Sequence, residues 1–319
     1  MARLKVRVAQ RSAEGASNVG IRLEALEPGG SLPPFDAGAH VDVFLPGGIV
    51  RQYSIANAPH DTGHYLLCVK LQAQSRGGSR FIHEHLAAGA ELEISTPRNL
   101  FALRPAEHSV LIGAGIGITP LLSMAAHLAQ EQQSFSLHYY TRSAEDVALR
   151  GHLGRFSSAQ VQLHHSNLGR SPRTYVPAEL HPPQPGTHLY LCGPLPFMAQ
   201  FRQRALQGGW PDEHIHTEAF SASDTAPPAE PGSFEVQLNS TGTVYPVPAG
   251  ETIAQVLQAA GVAVSLSCEQ GICGACLTGV VAGEPLHCDA VLSEAEQALN
   301  NQMALCCSRS RSPRLVLDL

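Results

Sequence analysis

The chain has 319 residues, enough for two or three domains, and its 44% hydrophobic content supports real cores. A formal net charge of −6 argues against nucleic acid as a partner, and no apolar run approaches the roughly 18 residues that span a bilayer. The opening "MARLKVRVAQ" alternates like a strand and lacks the apolar centre of a signal peptide, so a cytoplasmic protein is expected. Its eight cysteines should then be reduced, and clustered ones read as metal ligands rather than disulfides.

Residues 1–103 hold short alternating segments broken by Gly and Pro, among them "LKVRVAQ", "VGIRLEAL", "AHVDVFLPGG", "HYLLCVKLQ" and "AELEIS". That texture predicts an antiparallel β-barrel. Within it, "RQYSIAN" offers a guanidinium for a phosphate (Arg51), an aromatic face for a flat ring (Tyr53) and a hydroxyl donor (Ser54). Tyr and Ser are also ordinary strand residues. In "RGGSRFIHEHL", Gly77, Gly78 and Ser79 precede a predicted helix whose N-terminus favours an anionic phosphate. Two phosphate-suited elements in one barrel strengthen each other.

Residues 104–221 change to strand–helix alternation, which predicts an α/β domain with a parallel sheet. "VLIGAGIGITPLLSMA" places Gly113, Gly115 and Gly117 at a strand-to-helix turn, as G-x-G-x-G rather than the strict G-x-G-x-x-G. Thr119 suits an N-cap and Pro120 the first helical position. The turn could admit a pyrophosphate, although a tight βα turn needs glycine with or without a ligand. "LYLCGPLPFM" repeats the topology, with Cys192 and Gly193 at a strand's carboxyl end, where α/β sheets bind ligands. A lone buried thiol there is also ordinary packing. "LHYYTRS" ends on Arg142, suited to a pyrophosphate or a 2′-phosphate. Glu145 and Asp146 follow, and an acidic residue suits a ribose 2′-hydroxyl. The sixteen histidines are scattered; His164–His165 is the one adjacent pair, and it, His83 and His85 read as surface or packing residues.

"SASDTAPPAEPGS" reads as an interdomain linker at 222–232. From Ser233 to the end, eight Asp/Glu against three Arg give a net of −5, an acidic surface suited to a basic partner or simply to solubility. Two strands with a turn at Ser240–Thr241–Gly242, a helix in "TIAQVLQAAG" and a closing strand "PRLVLDL" frame the loop "SCEQGICGACLTG". Its Cys268, Cys273 and Cys276 follow C-x4-C-x2-C, the plant-type [2Fe–2S] spacing. Gly271 and Gly274 let the loop wrap a cluster with N–H groups aimed at sulfur. A zinc knuckle or unligated thiols are the alternatives. The fourth ligand is Cys288, Cys306 or Cys307; adjacent strand residues face opposite ways, so at most one of the last two points at the cluster.

R-x-Y-S, then G-G-S, G-A-G-I-G-I-T-P and C-G-P-x-x-x-M in this order resemble the ferredoxin reductase family, and 233–319 resembles a plant-type ferredoxin domain. The whole chain is similar to the phthalate dioxygenase reductase and vanillate O-demethylase reductase family. The resemblance implies an FMN-binding barrel at 1–103, an NAD-binding domain at 104–221 and a β-grasp-like α+β [2Fe–2S] domain at 233–319. It implies that Arg51, Tyr53 and Ser54 bind flavin, with Ser54 near its reactive edge. Val69 and Lys70 would line it, and Gly77, Gly78 and Ser79 would hold its phosphate. Thr119 would sit between flavin and nicotinamide. Gly115, Gly117 and Gly193 would admit the dinucleotide, Cys192 would lie near the nicotinamide, and Phe220 would shield the flavin. It also assigns Cys306 as fourth ligand, leaving Cys288 and Cys307 structural.

The parts imply a function. NADH gives electrons in pairs, a [2Fe–2S] cluster carries them singly, and a flavin converts one into the other. A monomeric, NADH-dependent reductase is expected, serving a Rieske-type aromatic oxygenase (a ring dioxygenase or O-demethylase) that docks on the acidic ferredoxin domain. A haem or ferredoxin acceptor is the second expectation, and a redox-sensing or zinc-binding protein the third.

Overall fold

The computed structural model describes residues 3–27, 29–73, 75, 77–220 and 232–319. Nearly all of the linker segment therefore lies outside the described residues. The chain divides into two compact units, Met1–Glu218 and Ala219–Leu319.

The first unit begins with β1 (Arg3–Glu14), β2 (Asn18–Ala25), β3 (His40–Leu45), β4 (Ile49–Ser54), β5 (Tyr65–Lys70), helix α1 (Gly78–His85) and β6 (Glu91–Ser95). The strands form one antiparallel sheet in the order β4-β3-β6-β1-β2-β5. Alternation dictates its faces: Val6 and Val8 of β1 and Val41 and Val43 of β3 enter one apolar core with Ile21, Leu67 and Ile94. The sheet curls, and just past β4 the Ala56 N–H donates to the Leu66 carbonyl of β5 at 2.8 Å, drawing the two edge strands together.

The same unit continues with β7 (His108–Ala114), α2 (Ile118–Gln130), β8 (Phe135–Thr141), α3 (Arg150–Leu153), β9 (Val161–His165), β10 (Thr187–Cys192), α4 (Leu195–Gln207) and β11 (Ile215–Glu218). These strands make a wholly parallel sheet ordered β11-β10-β7-β8-β9. From β7 the chain builds outward through β8 and β9, then crosses back to place β10 on the other side. That reversal opens a crevice at the carboxyl ends of β7 and β10. The α2 helix starts earlier than the sequence implies. Gly115–Gly117 form a 3-10 turn that runs into Ile118, so Thr119 is inside the first turn and its hydroxyl donates back to the Ile116 carbonyl at 3.0 Å. Pro120 is tolerated because first-turn N–H groups have no helical acceptor.

Most of α2 is buried, because it packs on the parallel sheet and also faces the barrel. Ser123 donates to the Asn57 carbonyl at 2.8 Å, and the Leu149 N–H donates to Glu14 at 3.1 Å. Gly38 sits at φ +92° where a Cβ would stand 2.0 Å from the Phe101 carbonyl oxygen and 3.0 Å from Met124 of α2.

The second unit contains β12 (Phe234–Leu238), β13 (Val244–Val247), α5 (Ile253–Ala259), β14 (Leu277–Ala282), β15 (Pro285–Leu286), α6 (Glu294–Ala298), β16 (Gln302–Ala304), β17 (Arg309–Ser310) and β18 (Arg314–Leu317). Its main sheet runs β13-β12-β18-β14-β16, with β12 and β18 parallel, the β-grasp order; β15 and β17 form a separate pair. Gly242 turns the first hairpin at φ +70°. Thr252 and Gln255 cap α5 reciprocally, and Ile253 and Leu257 seal it onto Val236, Leu315 and Leu317.

Gly38→Ala introduces both a left-handed strain and a backbone clash. It should lower unfolding stability by about 2 kcal/mol or more, read as a fall in the urea midpoint of the purified full chain.

Candidate electron-transfer sites

In the second unit the loop between α5 and β14 gathers the thiols. Gly271 holds φ +72°, and a Cβ there would lie 2.5 Å from the Cys307 sulfur and 2.9 Å from Asp289 Cα, so only glycine fits. That tight turn aims backbone donors at sulfur. Gly271 N–H meets Cys306 Sγ at 3.2 Å, Gln270 N–H meets Cys268 Sγ at 3.3 Å, and the N–H groups of Cys268 and Ala275 meet Cys273 Sγ at 3.5 Å. Cys268, Cys273, Cys276 and Cys306 are all buried.

The sulfurs relate in pairs. The free thiols of Cys268 and Cys273 lie within hydrogen-bonding reach, as do those of Cys276 and Cys306, and a Cys268–Cys306 contact joins the pairs. A [2Fe–2S] cluster takes four thiolates, and these four sulfurs stand together. Among the described residues no three His, Cys, Asp or Glu side chains converge on one ion position. The Cys273 thiol is pushed up first by its bond with Cys268 and then by burial, so this crowd of sulfur is suited to a compensating cation. Cys307 Sγ lies beside Gly271 and in contact with Cys306, 3.9 Å from the Ala304 carbonyl, and Cys288 Sγ points to the Leu286 carbonyl at 3.7 Å.

In the first unit the two phosphate-suited motifs meet. Gly78, in the first turn of α1, packs so closely on Arg51 that a Cβ would stand 2.5 Å from Arg51 Cγ and 2.9 Å from Nε. Gly77 caps α1 at φ +91°. Ser79 is buried, donating to the Ser75 hydroxyl at 3.0 Å and accepting from the Gln72 N–H at 3.2 Å. Tyr53 is half-buried, Val69 buried and Lys70 exposed. The Val69 carbonyl is engaged by His83 Nε2 at 2.9 Å. So His83 ties α1 to β5, a role its sequence context does not reveal.

At the crevice, Gly117 abuts Cys192: a Cβ would lie 2.3 Å from the Cys192 carbonyl oxygen. The missing side chain of Gly117 is therefore required by packing between the two βα turns. Gly115, at φ +55°, has nothing within 4 Å of its Cβ direction, so its face is open to a ligand. Gly193 packs against Phe197 and Ala114. Cys192 is fully buried, and burial pushes its thiol well above its ordinary value, with Glu218 adding to the effect.

Glu218, which sequence reasoning passed over, stands beside Cys192 across the β10–β11 ladder and accepts from the Ser54 hydroxyl at 3.5 Å. Enclosure of its carboxyl raises it from 4.5 to about 8, opposed by that Ser54 bond, although the residue retains partial solvent access. Arg142 is exposed at the end of β8. Asp146 is occupied by the Ser143 N–H and hydroxyl at 3.1 and 2.9 Å, which leaves Glu145 as the exposed acid of the pair. Phe220 is exposed and belongs to the second unit.

A paired-thiol nest in one unit and a switch-point crevice in the other define a modular iron–sulfur oxidoreductase. Family comparison agrees: residues 236–311 match the 2Fe-2S iron-sulfur cluster binding domain and residues 111–203 the oxidoreductase NAD-binding domain. The chain is 49% identical over 293 residues to a vanillate O-demethylase oxidoreductase of Pseudomonas sp. (strain HR199 / DSM 7063), covering 91% of this chain and 92% of that one. It also matches the structure of phthalate dioxygenase reductase, described as modular for electron transfer from pyridine nucleotides to [2Fe-2S] (TM-score 0.73, 35% identity, 100% of this chain, 98% of that one). A type IV self-sufficient cytochrome P450 monooxygenase matches with TM-score 0.86 and 34% identity, over 99% of this chain but 41% of that longer one. The chain belongs to the vanillate O-demethylase oxidoreductase and phthalate dioxygenase reductase family.

Cys306→Ser should abolish the iron–sulfur absorbance and lower the iron content of purified protein, whereas Cys307→Ser should keep both. The reverse outcome moves the fourth ligand by one residue.

Proposed function

We propose that the protein takes a hydride from NADH onto FMN in the first unit, passes single electrons to the [2Fe–2S] cluster, and delivers them to a Rieske-type oxygenase acting on an aromatic acid. The observation that carries the flavin assignment is the packing of Arg51 onto Gly78, which joins R-x-Y-S and G-G-S into one anion cradle. That cradle is self-contained on β4 and α1, as a mononucleotide phosphate requires. In this reading 1–103 is the FMN domain, 104–221 the NAD domain, 222–232 a linker and 233–319 the ferredoxin domain, working in the reducing cytoplasm.

Bound FMN supplies the conversion of an electron pair into single electrons. The protein's residues do the rest. Arg51, Gly77, Gly78 and Ser79 hold the phosphate, and Tyr53 offers its ring to the flavin. Gly115 gives the dinucleotide access at the switch point, and Thr119 stands at the crevice. Cys192 contributes an apolar, protonated thiol wall that excludes water. Ser54 and Glu218 hold a proton at their shared hydrogen bond. Glu145 supports NADH, because its exposed carboxylate, held ionised by a hydrogen bond from Ser143, suits a ribose hydroxyl and repels a 2′-phosphate. Cys268, Cys273, Cys276 and Cys306 bind the irons, and backbone N–H groups stabilise the sulfurs.

The 0.86 structural match to a self-sufficient P450 favours a second acceptor class, a cytochrome P450-type monooxygenase. Oxygen uptake separates them. With NADH, a purified Rieske oxygenase and its aromatic acid, turnover should require this protein; coupling only to a P450 overturns the Rieske assignment.

NADH should reduce the bound flavin roughly tenfold or more faster than NADPH in anaerobic stopped flow; equal rates would remove the role given to Glu145.

Because folding raises the Glu218 pKa, it favours the protonated carboxyl. That stabilisation is full below 4.5 and is lost as pH rises through about 8. Flavin reduction measured from about pH 6 to 9 should titrate near 8 in the wild type and lose that inflection in Glu218→Gln. An unchanged inflection assigns it to another group.

A further inference from the structure

Between β8 and α3 the chain makes a 3-10 turn, Ala144–Asp146, which carries the exposed Glu145. Groups of the parallel-sheet region hold this loop from one side. Asp146 accepts from Ser143, the Thr141 hydroxyl donates to the Ser143 carbonyl at 2.8 Å, and Arg150 donates to the Ala144 carbonyl. Tyr139 ties the loop to the crevice. Its hydroxyl accepts from the Ala148 N–H at 3.3 Å and donates to the Gly115 carbonyl at 2.9 Å.

The barrel holds the loop from the other side. Gly15 turns the β1–β2 hairpin at φ +68°, and a Cβ there would stand 3.0 Å from the Glu145 carbonyl oxygen and 3.1 Å from that of Val147. The hairpin backbone therefore packs directly on the backbone of the acidic turn. One residue earlier, Glu14 divides its carboxyl group: Oε1 accepts from the Ser12 hydroxyl at 2.9 Å and Oε2 from the Leu149 N–H at 3.1 Å. Leu149 is fully buried and holds φ +54°, a left-handed conformation costly for any residue but glycine. Such a residue persists where its surroundings over-determine it. Burial of the side chain and the bond from Glu14 do so here, and they fix where the loop that begins at Arg142 returns to α3.

We propose that the β1–β2 hairpin belongs to the nucleotide site, with Glu14 and Gly15 as positioning residues that set how the turn presents Glu145 to the ribose of the dinucleotide. This rests on the Glu145 reading above. Selectivity for NADH then depends on barrel residues that act on the loop rather than on the nucleotide.

The test is steady-state oxidation of NADH and of NADPH by the full, cofactor-loaded chain, with ferricyanide as acceptor. Glu14→Ala should raise KM for NADH roughly fivefold with kcat held within about twofold, and should lower the NADH-to-NADPH ratio of kcat/KM by a similar factor. Gly15→Ala, whose methyl must push the turn away, should do the same, and it carries the test if Glu14→Ala does not fold. Glu14→Gln keeps an acceptor oxygen for the Leu149 N–H and should restore KM and selectivity. Flavin and iron–sulfur absorbance should stay unchanged in all three. Wild-type KM and selectivity in Glu14→Ala and Gly15→Ala overturn the proposal whatever their melting temperatures, and so does a loss confined to kcat. An equal loss in Glu14→Gln assigns the effect to charge and overturns positioning. Glu145→Ala, measured alongside, separates the two readings. If it lowers selectivity and the hairpin variants do not, the hairpin proposal alone fails. If it leaves selectivity intact, the Glu145 reading fails and the proposal falls with it.

Discussion

The first unit depends on the absence of one methyl group. Gly117 ends the turn after β7 and Cys192 ends β10, and the two backbones approach until a Cβ on Gly117 would stand 2.3 Å from the Cys192 carbonyl. Because the turns touch there, the crevice at the strand reversal has a fixed floor. Everything assigned to it is placed relative to that floor: the open face of Gly115, the buried Cys192 thiol, and Glu218 one strand over. α2 leaves the same turn and carries the barrel's contacts at Asn57 and Gly38, so the constraint also sets where β4 presents Ser54. A larger residue at position 117 would displace the turn, the helix and the barrel seam together.

The second unit solves a different problem, that of holding buried sulfurs which repel as thiolates. Its device is again a glycine, since Gly271 alone lets one loop put its N–H on Cys306 and its Cα against Cys307. Iron held by these four cysteines would take their thiolate forms and compensate the charge, so the nest suits the loaded state electrostatically. The β-grasp sheet behind it supplies stiffness: Cys276 and Cys306 belong to the same apolar core as Met303 and Leu315.

Local chemistry was legible in the sequence, and tertiary coincidence was not. The C-x4-C-x2-C loop and the Gly242 turn act over a few residues, and pattern alone reveals them. The helix start at Thr119 was misplaced because a 3-10 turn of glycines continues smoothly into the helix, which no capping residue marks. The order of Arg51 before Gly78 is visible in the chain, but their contact depends on α1 folding back over β4. Glu218 was missed for the same reason. Its strand "IHTE" is short and polar at a sheet edge, and its carboxyl matters only because Ser54 arrives from another sheet. In β3, alternation assigns His40 to the face opposite the barrel core, but a face opposite a core is ordinarily wet. That His40 is buried there depends on tertiary packing, which alternation cannot show.

Among the described residues the buried polar groups without a partner are scattered: His40 and Gln52 lie on adjacent strands of the antiparallel sheet, His164 and Thr187 on the parallel sheet, and His287 and Arg309 in the second unit. Val41 and Val43 point one way into a core that needs nothing more, while His40, Gln52 and Ser54 point the other way. Burying such a row costs stability that an apolar row would not. A fold that had only to be stable would place Phe or Leu there. Retaining imidazole, amide and hydroxyl on one face costs stability, and the Glu218 carboxyl that Ser54 meets, raised to about 8, adds a group whose charged form enclosure disfavours. The glycine-locked crevice sets where that carboxyl stands, because Glu218 pairs across the ladder with Cys192, whose backbone Gly117 meets directly.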